Sequence, residues 1–209
     1  MARRLRLATL SLAAAIVACG GTNPDEGVPP QTAPLPTIVL AGRTVALFPL
    51  TLVAVDRQLG WNEQLGDRLD ALRIADSLIA TFLTERAPEA QWVLPDALRR
   101  ASRQAPGVLP DPDKLGTALL RARNLDRIPD PLRSQMRNLT AVAADRLVLV
   151  PAALTFRQMP TGQGAADLSV VIADVRFGTV LWRTIAHGEG DDAWSALGNA
   201  LGALVPDLP

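Results

Sequence analysis

The chain is poor in the residues that most often carry chemistry. Its 209 residues include one cysteine, one histidine, one lysine (Lys114) and no tyrosine. A lone cysteine excludes an intrachain disulfide and any cysteine-rich metal site. A lone histidine excludes HExxH zinc chemistry and multi-histidine sites. An excess of one charge is lacking too. The 21 basic and 21 acidic residues cancel, so no global field draws the chain to nucleic acid. Beyond the N-terminus no apolar run reaches the roughly 18 residues that a bilayer-spanning helix needs. What remains is the composition of a globular domain, 48% hydrophobic and 20% charged, and unlike that of a disordered chain.

The one cysteine has a telling position. Arg3, Arg4 and Arg6 form a basic n-region, and residues 7–17 are uncharged. Eleven such residues suit the h-region of an export signal and are too few for a finished transmembrane helix. Ile16, Val17 and Ala18 then precede Cys19 and Gly20. This order resembles the lipobox of bacterial lipoproteins. The resemblance implies cleavage before Cys19 and a diacylglyceryl group on its sulfur. Two acyl chains anchor stably, because each buried methylene contributes about 0.8 kcal/mol. The alternative is a plain secretory signal with a chance cysteine. Removing residues 1–18 as signal peptide leaves 191 residues with a net charge of −3.

Residues 19–37 read as a lipidated N-terminus and tether, with prolines at positions 24, 29, 30, 34 and 36. Such a segment favours extended, polyproline-like states and could reach roughly 55 Å. Residues 38–209 read as one α/β domain. Its mixed sheet of four or five strands is covered by helices and carries a helical insertion at about 95–143. Strands are expected at 44–50, 91–94, 146–156, 168–175 and 179–187, from their β-rich apolar runs; residues up to 55 are a further strand or an irregular extension. Helices are expected at 66–86, 96–104, from Asp111-Pro112 to about Arg123, from Asp130-Pro131 onward, and after Asp191 or Asp192. Leu65, Leu69, Leu72, Ala75, Ile79 and Phe82 give the first of these an apolar stripe. Gly178 is expected at positive φ in a tight turn.

Three segments together resemble a known group. Residues 45–49 (Val-Ala-Leu-Phe-Pro), 144–150 and the closing unit 172–182, an Asp, a turn ending in Gly and a strand with Trp, are similar to the amino-terminal domain of TolB. They also resemble curli-secretion lipoproteins, flagellar outer-membrane lipoproteins and activators of penicillin-binding proteins. The resemblance implies a non-enzymatic envelope scaffold. By likeness to enteric sorting rules, Gly20 rather than an aspartate after the cysteine leans towards the outer membrane. The chain departs from the group in its inserted helices. An auxiliary lipoprotein of a lipid or solute transporter is the alternative, and an envelope hydrolase the third.

The candidate chemistry is sparse. His187 is the one possible histidine base, and Ser169 and Ser195, its nearest serines, lie in no nucleophile-elbow motif. Glu189, Asp191 and Asp192 do not match a calcium loop and suit a helix N-terminus better. No catalytic residue, metal or cofactor is expected. The insertion is the odd feature, with nine basic residues against five acidic ones. Arg99, Arg100, Arg103, Arg121 and Arg123 are expected to form a face for an anionic partner, since guanidinium pairs bidentately with phosphate and carboxylate. That partner would be an envelope protein or an anionic polymer. A plain solvated helical surface is the alternative. The four tryptophans read as core or rim residues.

Overall fold

The computed structural model describes residues 33–143 and 146–206. Cys19, the lipobox residues Ile16, Val17 and Ala18, the signal peptide and most of the tether lie outside the described residues. The chain joins the fold earlier than the tether boundary at 37 implies. The Leu35 amide donates to the Leu204 carbonyl, and the Ala33 amide to Thr184 Oγ1. The Leu35 side chain is buried among apolar residues.

A one-turn helix α1 (Thr37–Leu40) leads into β1 (Thr44–Leu47), followed by β2 (Val53–Val55), α2 (Asn62–Leu65) and the long α3 (Arg68–Arg86). Then come β3 (Gln91–Val93), α4 (Pro95–Gln104), two 3-10 turns at 112–114 and 117–121, and α5 (Leu132–Ala143). The chain closes with β4 (Leu147–Gln158), β5 (Gly164–Asp174), β6 (Thr179–Gly190) and α6 (Ala193–Leu204). All six strands form one sheet in the order β3-β1-β4-β5-β6, with β2 pairing β4 above β1. Strands β1, β2 and β3 run parallel to their partners, and β4, β5 and β6 form an antiparallel meander. The fold is α/β with a mixed sheet, as expected. The region expected as a helix from Asp111 forms only the two 3-10 turns, and β5 and β6 are longer than read.

Strand alternation sends apolar side chains to both faces. On one face Val45, Leu47, Leu149, Leu168 and Val170 pack against Ala75, Ile79 and Leu83 of α3 and Leu197 and Leu201 of α6. On the other, Ala46, Phe48, Val148 and Val150 meet Leu98 of α4, Leu120, and Leu132, Met136 and Leu139 of α5. The insertion therefore covers the second face. A fully buried Leu or Phe contributes about 1.5–3 kcal/mol by leaving water.

Two irregularities re-aim the strands. The β4–β5 register shifts between Pro151 and Ala153, where proline has no N–H to donate. Leu147 and Leu149 face α3 and α6 below it, and Leu154 and Phe156 do so above it. Thr155 and Arg157 thereby turn to the second face. In β6 a second shift lies between the Trp182 and Val180 pairs and leaves Leu181 exposed. Helix α6 lies directly on β6, because a Cβ at Gly188 would fall on the backbone of Ala196 and Ala200. Its N-terminus carries a capping box in which Asp192 accepts from the Trp194 and Ser195 amides, so Asp192 is the cap. Gly178 has φ +70° in the β5–β6 turn, as the sequence implies.

Candidate functional site

Parallel α/β sheets bind ligands outside the carboxyl ends of their strands, where successive connections leave on opposite faces. Adjacent strands β1 and β3 meet that condition. The connection from β1 includes α3 on one face, and α4 leaves β3 on the other. At this point opens a cleft of about 750 Å³, lined by residues of α3, of α4 and by Asp113.

The floor of the cleft is an ionic cluster centred on Arg99. Asp76 comes from the buried side of α3, and its Oδ1 accepts from the Leu50 amide at 2.7 Å. Its Oδ2 accepts from Arg99 Nη2 at 2.5 Å. Asp113 takes Arg99 Nε and Nη2 at 2.7–3.0 Å. Asp96, in the first turn of α4, takes Nη1 at 3.1 Å. Local structure sets each partner. Asp111 caps the short turn that presents Asp113, and Pro95 starts the helix that carries Asp96 and Arg99. Burial pushes the Asp76 carboxyl up to about 6, against the pull of the Leu50 amide and Arg99. Burial works against the Arg99 charge, but the carboxylates of Asp113 and Asp76 outweigh it and hold the guanidinium firmly protonated.

Arg99 is therefore not part of a face for an anionic partner: three carboxylates engage it, and its side chain is only 17% exposed. Arg103 is exposed at the cleft mouth with Arg73, Ser77, Thr81 and Thr84. Arg100 is exposed on α4. Arg121 and Arg123 are exposed at the end of the second 3-10 turn, a segment that packs over β4 and β5. The structure thus unites Arg99 and Arg103 in the cleft and leaves Arg121 and Arg123 on another segment. The signal for Asp76 lies four residues after Leu72 and three before Ile79, an acid in the apolar stripe of α3. Leu69, read as part of that stripe, is 61% exposed.

A second polar group lies on the sheet face above the Pro151 irregularity. His187 Nδ1 is 2.7 Å from Asp167 Oδ1, and Arg157 Nε donates to Asp167 Oδ2 at 2.5 Å. Asp167 and His187 are cross-strand partners on β5 and β6. Ser195 exchanges hydrogen bonds with Asp192 in the α6 cap, and Ser169 lies opposite Ile185 rather than His187. Among the described residues no group of three or more His, Cys, Asp or Glu side chains is placed to hold a metal ion. Trp61 is buried edge-on against Phe156, which meets Trp194 in the same way.

No protein-family model matches the chain, and no curated protein does. Several solved structures share its general course. The C-terminal domain of LpoB from Salmonella enterica is 16% identical, with a TM-score of 0.42 over 72% of this chain and 84% of that one. PelC from Paraburkholderia phytofirmans, a dodecamer, is 17% identical, with a TM-score of 0.36 over 83% and 93%. Lipoprotein GNA1162 from Neisseria meningitidis is 12% identical, with a TM-score of 0.33 over 71% and 81%. Likenesses this distant carry no function to the chain.

Proposed function

We propose that this chain is a lipid-anchored protein of the bacterial cell envelope, held through Cys19 at the periplasmic face of the outer membrane. It acts there as a non-enzymatic assembly or accessory factor that binds an envelope protein or an anionic polymer. The observation that supports a binding role is the division of labour in the cleft. Arg99, Asp76, Asp96 and Asp113 are engaged with one another, so the mouth is left to Arg73, Arg103, Glu85 and the hydroxyls of Ser77, Thr81 and Thr84. That mixed lining, with Glu85 beside the two arginines, suits recognition of a hydroxyl-rich partner that also carries acidic groups for Arg73 and Arg103. The 14 residues from Cys19 to Thr32 give a reach of roughly 43 Å in an extended state. The domain thus works close to the bilayer.

The test is co-purification from detergent-solubilised native envelope. The unaltered chain is compared with Cys19→Ser and with the double variant Arg73→Glu, Arg103→Glu. Specific envelope components captured by the unaltered chain and lost from both variants are expected. Capture that the charge reversal leaves unchanged would remove the cleft from the reading, and loss of nothing with Cys19→Ser would remove the anchor.

A further inference from the structure

We infer that one end of the domain, the end at which β1, β3, β4 and β6 begin, docks directly on an anionic bilayer surface. This rests on the reading of Cys19 as the lipid anchor. Ten large hydrophobic side chains are exposed among the described residues, and five of them gather at this end. Strand pairing defines it: Thr44 lies beside Gln91, Val45 beside Leu147, Leu147 beside Asp174, and Asp174 beside Thr179. The first residues of β1, β3, β4 and β6 and the β5–β6 turn therefore share one level. Ile38 and Val39 of α1, just before β1, are 90% and 67% exposed. Val142, near the end of α5 and before β4, is 67% exposed, and Phe177 in the β5–β6 turn is 55% exposed. Leu181 is displayed by the irregularity in β6.

The apolar side chains have a basic setting. The Arg146 and Arg176 guanidiniums lie 6.0 and 5.8 Å from the Phe177 ring centre, Arg146 being also paired with the buried Asp174 at 3.3 Å. Arg176 is exposed, and its backbone is held by Arg133, whose Nη2 donates to the Arg176 carbonyl at 2.6 Å. Arg127 Nη2 donates to the Phe177 carbonyl. The turn is thus a braced projection with an aromatic tip and cations beside it. Aliphatic and aromatic side chains entering the headgroup layer, with arginines at phosphate level, are how a peripheral protein lies on an anionic membrane.

The route of the chain selects a bilayer as the occupant. Residue 33 enters the fold at Thr184, five positions from the start of β6, and runs through Leu35 directly into α1. The segment that would carry the lipid thus meets the domain midway along β6 and runs from there to α1 at this end.

The test uses the whole chain, isolated from membranes and reconstituted in vesicles of phosphatidylethanolamine and phosphatidylglycerol. Phe177→Trp adds a reporter at this end, and Thr161→Trp adds one in the β4–β5 turn at the far end. With acyl-brominated lipid, the emission added at 177 should fall at least about twofold, because such docking buries side chains about 5–10 Å into the headgroup boundary. The emission added at 161 should be unchanged. Arg176→Glu in the Phe177→Trp chain, or high salt, should remove most of the quenching. Equal quenching at 177 and 161 overturns the proposal. Intact mass reports acylation of Cys19 separately. An acylated chain with equal quenching defeats docking alone, and an unacylated chain quenched at 177 defeats the anchor alone.

Discussion

Asp76 should make the protein less stable as pH rises through mild acidity, the reverse of the usual carboxylate effect. Its side chain is 5% exposed, and burial lifts its pKa from 3.8 to about 6 despite the Leu50 amide and Arg99. The folded state then binds a proton more tightly than the unfolded state does. Between the two values the folded chain holds more protons, so stability falls with rising pH. A rise of this size corresponds to about 3 kcal/mol of lost stability, absent in acid below the unfolded value and complete above the folded one. The pair with Arg99 does not cancel this because the guanidinium is shared with Asp96 and Asp113. The assay is urea unfolding followed by tryptophan fluorescence from pH 4 to pH 7.5 at fixed ionic strength. The reference is Asp76→Asn, which cannot titrate and retains one acceptor. The stability of the unaltered chain minus that of the variant should drop by about 2 kcal/mol between pH 4 and pH 6.5, the rest of the change lying below pH 4, and stay level above. A difference that is flat, or that rises with pH, would show that Arg99 outweighs desolvation and would refute the reasoning.

Arg99→Ala should cost about 3–5 kcal/mol, because it leaves buried Asp76 without its cation; Arg99→Lys should recover only part of it, since one ammonium cannot hold three carboxylates in a fork, and both are read by urea midpoints. Gly188→Ala should cost at least about 1–3 kcal/mol, because the added methyl forces α6 off β6, and near-ultraviolet circular dichroism should report the disturbed Trp194 packing. Asp192→Ala should cost about 1 kcal/mol by loss of the capping box. The Ser195 amide and hydroxyl hold the Asp192 carboxyl below its ordinary value, so this stabilisation is present at neutral pH and lost as pH falls through the lowered value, and the variant and unaltered chains should converge in acid.

What the sequence revealed is what local chemistry dictates. The pair Asp191-Asp192 announced α6 without saying which was the cap, and the apolar runs of β1, β4 and β6 announced the sheet, because caps and strand patterns act over a few residues. Gly178 disclosed its turn for the same reason. The reach of β6 to Gly190 was hidden, since Gly188 and Gly190 weaken a strand signal and only the close approach of α6 explains them. The role of Arg99 was hidden as well. It looked like one member of a basic run, and its partners Asp76 and Asp113 lie 23 and 14 residues away. Asp96 at i−3 lies within the range of local spacing, and the other two do not. The phase change at Pro151, which gives the polar group of Asp167 and His187 its place, requires knowing the β5 register.

The two proposed surfaces constrain one another through α3. This helix ends at Arg86, just before β3 begins at the docking end, and Asp76 lies ten residues earlier. At 1.5 Å per residue the cleft floor stands about 15 Å from that end. A domain resting on the bilayer would therefore hold Arg73 and Arg103 just beyond the headgroup layer, within reach of a partner lying along the membrane. An undocked domain, free on its tether, would present the same arginines at any height up to roughly 43 Å. Docking and recognition should therefore be coupled: Phe177→Ser with Arg176→Glu, both far from the cleft, should weaken capture of a membrane-bound partner while leaving a soluble one unaffected. Equal loss of both would mean that the substitutions act through folding, and urea midpoints for the same variant would show it.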